Sequence, residues 1–205
     1  MKVIDLGLIN YQDCLEIQKK YLEEVYLGGE NVLLVLEHFP VITFGRHGGE
    51  ENLLVRVDQL NSRGIQIVKS SRGGNITCHF PGQLVAYPIF RIGKRKGGLK
   101  QFFFDLEEVV IRVLKKYQIK GERIAGLSGV FVNKKKICSI GIGVWHWISY
   151  HGLALNVLED ISLFGVINPC GLGCEMTSMH LESSFKPDLK TIKQEVIDEF
   201  KAIFT

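Results

Sequence analysis

The sequence predicts an α/β (α+β) fold, a mixed β-sheet flanked by helices, in a single domain of 205 residues. Three observations predict it. Short apolar stretches of strand length are interleaved with long segments of helical period. Residues 32–38, VLLVLEH, form a nearly uninterrupted apolar run, the mark of a strand covered on both faces. The run GVFV, NKKK, KICSIGIGVWHW at 129–147 reads as a hairpin, so part of the sheet is antiparallel.

The elements follow in order. Residues 2–7 read as a short strand. Tyr11, Cys14, Leu15, Gln18, Leu22, Val25 and Tyr26 then recur at spacings of three and four, an amphipathic helix with Asn10 as N-cap and Gly28-Gly29 as its stop. After VLLVLEH come Pro40 and VITFG, then GIQIVKS at 64–70 as a further strand. Residues 70–83, SSRGGNITCHFPGQ, read as a loop before the apolar LVAYPIF, and RIGKRKGG at 91–98 as a basic turn. Leu99, Phe102, Phe103, Leu106, Val109, Val110, Val113, Leu114 and Tyr117 mark the clearest helix. HGLALNV at 151–157 is a strand, residues 160–179 are loop-rich, and a last helix with Leu189, Ile192, Val196, Ile197 and Phe200 on one face follows Pro187-Asp188.

Composition narrows the function classes. Hydrophobic residues make up 46% and charged residues 23%, which is ordinary for a folded soluble chain with a continuous core. A net charge of +3 is too mild to imply nucleic acid. No apolar run reaches eighteen residues, and the start MKVIDLGLINYQDC lacks the apolar stretch of a signal peptide, so no membrane partner is expected and the expected setting is cytoplasmic. The five cysteines, Cys14, Cys78, Cys138, Cys170 and Cys174, are odd in number and irregularly spaced, a pattern of free thiols.

Among them Cys170 stands out. Proline before it fixes φ and glycine after it permits a sharp exit, so Asn168-Pro169-Cys170-Gly171 holds a thiol at a stiff turn. Only a few per cent of a free thiol, with a pKa of about 8.5, is thiolate at neutral pH, so a nucleophile needs a base or cation nearby. Histidines 79, 146, 151 and 180 are candidates, and so are Lys134, Lys135 and Lys136. Lys136 differs from the other two lysines because it opens the apolar strand KICSIG, where alternation turns it inward. Arg72-Gly73-Gly74-Asn75-Ile76-Thr77 brings two glycines that let backbone approach a ligand, and the glycines of IGIG at 140–143 and of His151-Gly152 mark close approach of a ligand or another backbone. Cys170, Cys174 and His180 have the spacing C-x3-C-x5-H, with Cys138 as a conceivable fourth ligand. Zinc sites usually show two such knuckles and only one is present, so no metal and no cofactor are expected.

Taken together, four ordered stretches resemble the lipoyl(octanoyl) transferases of lipoate synthesis: RGGNITCHFPGQLVAYPI, GVFVNKKKICSIGIGV, HGLALNV and INPCG. TFG at 43–45 and LEEVVI at 106–111 also fit, and the resemblance covers most of the chain. It implies a fold similar to the catalytic domain of biotin and lipoate protein ligases. It also implies octanoyl transfer from acyl carrier protein to a lysine of lipoyl domains, those of 2-oxoacid dehydrogenase complexes and of the glycine cleavage H protein. By the resemblance Cys170 is the nucleophile and Lys136 lowers its pKa. The substrate-binding segments then fall on Arg72, Gly73, Gly74, Asn75, Ile76, Thr77, Cys78 and His79, on Ser139, Ile140 and Gly141, and on Gly152, Leu153 and Ala154. Backbone N–H groups near Gly171 and on the lysine strand are the candidate oxyanion donors.

The chain departs from the family pattern in three places. Cys78 stands where tyrosine is common. Phe80 replaces a frequent glycine, which implies an altered loop if that glycine has positive φ, and a reshaped acyl slot. Phe131 replaces a frequent tryptophan. The rival readings are an ATP-dependent lipoate or biotin ligase, which needs no cysteine, and a non-catalytic module, acyl-binding, lipoyl-domain-binding or zinc-stabilised. The basic turn with Arg91, Lys94, Arg95 and Lys96 is a candidate for steering acidic carrier proteins.

Overall fold

A computed structural model describes residues 1–93, 96–169 and 174–205. Strand β1 (Lys2–Ile9), helix α1 (Tyr11–Tyr26) and strand β2 (Val32–His38) form a parallel β-α-β unit, and β6 (Gln83–Ile89), β9 (Ile148–Asn156), β8 (Lys135–Trp145) and β7 (Val130–Val132) complete a six-stranded sheet in the order β1-β2-β6-β9-β8-β7. A second sheet of three strands, β4-β3-β5, is built from β3 (Val41–Phe44), β4 (Gln66–Lys69) and β5 (Ile76–His79). The remaining helices are α2 (Val57–Ser62), α3 (Gly98–Lys116), α4 (Met179–Glu182) and α5 (Leu189–Phe204). None is long and apolar enough to cross a membrane, among the described residues.

The apolar run of β2 is explained by its place inside the larger sheet. Leu33 and Val35 face α3 and α5, where Phe90, Phe102, Leu106, Val109, Val196 and Phe200 pack. Val32, Leu34 and Leu36 face α1 with Cys14, Val25 and Ile89. Both faces are buried, so alternation carries no polar residue until Glu37. A third cluster lies under the small sheet, where Ile42, Leu60, Cys78, Phe80, Phe164 and Ile167 meet.

Three expectations are corrected. The strand predicted to end at Gly7 runs on to Ile9 through an irregularity between Asp5 and Leu8, which Gly7 permits with φ of +60°. Residues 76–79 are strand β5 rather than loop, paired with β3 from Val41↔His79 to Phe44↔Ile76. One mixed sheet becomes two because the chain breaks at Phe39-Pro40, where proline has no N–H for a ladder, and β3 pairs elsewhere. Short helix α2, absent from the sequence reading, inserts Leu60 into the third cluster.

Asn10 sits at the N-cap position of α1, yet its side chain makes no capping bond. At the other end Gly29 N–H donates to Glu24 O at 2.9 Å and Gly28 N–H to Val25 O at 3.2 Å, a Schellman stop with Gly28 at φ of +112°. Strand β8 makes hairpins on both sides. Asn133-Lys134 connects it to β7 and His146-Trp147 to β9, and all four residues have positive φ, the requirement of tight two-residue hairpins.

Gly152 on β9 is fixed by a neighbouring strand. A Cβ there would lie 2.2 Å from Ala86 O of β6 and 2.7 Å from Pro88 Cδ. Gly152→Ala is expected to lower unfolding free energy in urea by at least about 1–3 kcal/mol, the usual cost of forcing atoms into a packed site. Gly165→Ala, with nothing within 4 Å of the added carbon, is expected to stay within about 0.5 kcal/mol of the parent.

Candidate active site

The two sheets meet along a seam, and the loop between β4 and β5 closes it. Arg72 is buried and anchored by β3: its Nη2 donates to Thr43 O at 2.6 Å and Thr43 Oγ1 at 2.9 Å, its Nε to Thr43 Oγ1 at 3.2 Å, and its Nη1 to Gly73 O at 3.0 Å. Gly73 N–H donates to Ile142 O of β8 at 2.9 Å, and Gly45 N–H to Asn75 O at 2.8 Å. A Cβ on Gly141 would come 3.0 Å from Gly73 O, and one on Gly45 2.4 Å from Gly74 O. The glycines here serve contact of backbone with backbone. Close approach of another chain segment, one of the two meanings that glycine carried in the sequence, is met at Gly45 and Gly141.

Along this seam lies a cavity of about 90 Å³, below the ~300–1,000 Å³ of drug-sized sites and suited to a thin ligand. From the loop and β5 it is lined by Arg72, Gly73, Gly74, Asn75, Ile76, Thr77 and His79; from β8 by Lys136, Ser139, Ile140 and Gly141; from β9 by His151, Gly152, Leu153 and Ala154. Tyr87, Ser128 and Pro169 complete it. The three segments named from sequence therefore converge on one space, with Lys136 beside them.

Cys78 is not brought there. It alternates with Thr77 and His79 along β5, so it points into the apolar cluster with Ile42 and Phe80, where burial raises its pKa well above the ordinary range. Phe80 also lies away from the cavity, edge-on to Phe164 with centroids 5.6 Å apart, and its backbone φ is not positive. Cys170 and Gly171 lie outside the described residues, as do Lys94 and Arg95 of the basic turn. Arg91 of that turn donates to Gly29 O at 2.8 Å. Cys138 is buried in the main core, and His180 Nε2 donates to Pro187 O at 2.9 Å; no metal-holding group of His, Cys, Asp and Glu occurs among the described residues.

Lys136 is buried at 6% exposure despite its charge. Its Nζ lies 5.2 Å from the ring centroid of Phe131, directly across the β7–β8 ladder, a cation–π contact that gives this departure from the family pattern a place beside the lysine. Gly129 lies beside its stem, where a Cβ would meet the Cys138 carbonyl oxygen at 2.3 Å and Lys136 Cε at an ordinary 3.6 Å. The Lys136 N–H donates to Glu175 O at 2.8 Å and its C=O accepts from Thr177 N–H at 3.0 Å. That N–H is thus taken, which removes it from the candidate oxyanion donors.

Sequence reading missed the polar layer behind the cavity. His38 Nδ1–H donates to Ile9 O at 3.0 Å, so its Nε2 accepts from Tyr87 Oη at 3.0 Å. His79 Nδ1–H donates to Gln83 Oε1 at 2.7 Å, whose Nε2 donates to Asn156 Oδ1 at 2.9 Å. That tautomer leaves His79 Nε2 a bare acceptor. His79 stacks on Tyr11, and Tyr11 shares a 2.8 Å hydrogen bond with Ser70. Burial keeps His38, His79 and His151 neutral: His38 is lowered to about 4 and His151 to about 3, while His79 falls well below the usual range, and the Arg72 guanidinium adds to the effect on His79 and His151. No local sequence signal marks His38 or Tyr87, because each lies on a strand that reads as mainly apolar.

A consequence for stability follows. Unfolded histidine takes a proton near pH 6.5, whereas these three stay neutral until lower pH, so the unfolded chain binds more protons and stability falls with acid. Unfolding free energy measured in urea is expected to drop from pH 6.5 towards pH 4.5 by up to about 1.4 kcal/mol per pH unit for each histidine. His38→Gln should flatten that slope, and an unchanged slope would contradict the assignment.

With this geometry in place, similarity to known proteins is informative. Residues 10–201 match the lipoyl protein ligase A/B catalytic domain. An octanoyltransferase of Nitratidesulfovibrio vulgaris is 52% identical over 206 residues, spanning 100% of this chain and 94% of that one. In fold, the chain is similar to lipoate-protein ligase A bound with ATP, with a TM-score of 0.83 at 15% identity over 98% of this chain and 84% of that one. It is less similar to the biotin protein ligase of Aquifex aeolicus, with a TM-score of 0.56 at 13% identity over 98% and 68%. The chain belongs to the lipoyl protein ligase A/B catalytic-domain family.

Proposed function

We propose that this protein transfers an octanoyl group from acyl carrier protein to a lysine of lipoyl domains, carrying it between the two as a thioester on Cys170. The name and 52% identity of the octanoyltransferase relative support octanoyl as the group moved. The observation that carries the mechanism is local: Lys136 and Pro169, the residue preceding Cys170 in the chain, line the same narrow cavity. Acceptors of the lipoyl-domain class include those of 2-oxoacid dehydrogenase complexes and the glycine cleavage H protein.

The proton balance closes with one lysine. An ammonium on Lys136 favours the Cys170 thiolate, which attacks the carbonyl carbon of the incoming thioester. A C–S bond to Cys170 forms, the pantetheine C–S bond breaks, and the departing thiolate takes the proton of Lys136. The neutral acceptor amine then attacks the enzyme thioester. Its new C–N bond replaces the C–S bond, its proton passes to Lys136, and the thiolate–ammonium pair is restored. Exchange of one thioester for another is nearly isoenergetic, so the scheme uses no ATP, and a ligase route through an acyl-adenylate would leave Cys170 unmodified.

The protein incubated with octanoyl-acyl carrier protein is expected to gain one octanoyl mass, located on Cys170 by peptide mapping. Cys170→Ser should lose the adduct. Lys136→Ala should retain the fold by circular dichroism yet transfer at least about 100-fold more slowly. Undiminished transfer by Cys170→Ser, or dependence on ATP with free octanoate, would overturn the scheme.

A further inference from the structure

The structure also shows where the cavity stops. Strands β8 and β9 run beside it, with Ile142 paired to His151 and Gly143 to Tyr150. Lys136 lies six residues before Ile142 on β8, roughly 20 Å at ~3.4 Å per residue. Lys136 and His151 both line the cavity and stand at opposite ends of this run, their side chains shortening the span between them. One residue further on, Tyr150 lines a separate groove of about 430 Å³, together with Leu15, Leu22, Trp145, Ser70 and Ser71. His151 is the partition. The residue borders the cavity, while its Nε2 lies 3.3 Å from Ser71 Oγ and 3.5 Å from Ser70 Oγ on the groove side.

His151 is an unusual residue to find in a wall. Its φ is +56°, a conformation rare outside glycine, and its N–H is held by Gln18 Oε1 at 2.8 Å. The side chain is buried, yet Nδ1 has no hydrogen-bond partner among the described residues. A buried ring nitrogen left alone calls for an explanation. A hydrocarbon chain long enough to reach this end of the cavity meets His151, whose burial and held N–H leave it little room to give way.

We propose that His151 is the floor of the acyl slot and sets the chain length the enzyme accepts, sealing the slot from the apolar groove behind. This rests on the transferase reading above. Removing the imidazole joins the cavity to the groove, whose Leu15, Leu22, Trp145 and Tyr150 offer surface to additional carbons. The backbone favours the experiment, because φ of +56° suits glycine, and asparagine tolerates it better than most residues.

The test compares kcat/KM for six-, eight-, ten- and twelve-carbon acyl carrier protein thioesters. Wild-type protein is expected to fall by about tenfold or more from eight carbons to ten, the scale of a misfit of one or two methylenes. His151→Gly should raise the ten-to-eight ratio by about tenfold or more, and His151→Asn by less. Wild-type protein that accepts twelve carbons as readily as eight would overturn the floor without recourse to any variant. So would a folded variant that transfers octanoyl with an unchanged ratio. Inertness of the wild type toward every chain length would instead overturn the transferase reading, and the floor with it.

Discussion

The hold of Thr43 on Arg72 organises the site. Three hydrogen bonds from one guanidinium reach a single residue of the small sheet, and the next residue, Gly73, bonds to the large sheet at Ile142. Two adjacent residues therefore couple two sheets, and the narrow space between them is where the segments named from sequence converge. A bidentate, rigid cation suits this task better than a lysine, whose ammonium has no planar fork to offer. The TFG segment, unremarkable by itself, gains its meaning here: threonine binds the arginine, and glycine two residues later lets the loop carbonyl of Gly74 come close.

The interior facing the cavity is polar without being charged, apart from Arg72 and Lys136. His38 is held by Tyr87, His79 by the Gln83–Asn156 pair, and Tyr11 by Ser70, all through short side-chain bonds. Such a layer fixes geometry because each member has few alternative partners. Because its imidazoles stay neutral, the layer adds no positive charge to that of the Arg72 guanidinium.

Much of the frame was legible from the order of residues alone. The apolar run of β2, the period of α1, α3 and α5, and the glycine stop after α1 all report local physics that tertiary structure did not override. Lys136 was separable from its neighbours by alternation, and it is buried while Lys135 is exposed. What could not be read arises from pairing at a distance. That residues 76–79 are a strand depends on β3, and the direction of Cys78 follows from that pairing. The partnership of His38 with Tyr87 joins positions 49 apart on two neighbouring strands. Glycine was ambiguous for the same reason, since a missing side chain admits a ligand and a backbone equally well.

The segment carrying Cys170 is fastened at both flanks. On one side Asn168 N–H donates to Asn52 O at 2.8 Å, next to the Leu53↔Ile167 bridge. On the other, Glu175 and Thr177 straddle Lys136 in a short parallel bridge at Met176. Lys136 thus belongs to the bridge that secures residues Glu175 to Thr177. Asn168 and Glu175, on either side of Cys170 in the chain, are each tied by a backbone hydrogen bond, and in the proposed scheme the ordering of these flanks is an entropic loss incurred once, at folding, and not again in every turnover.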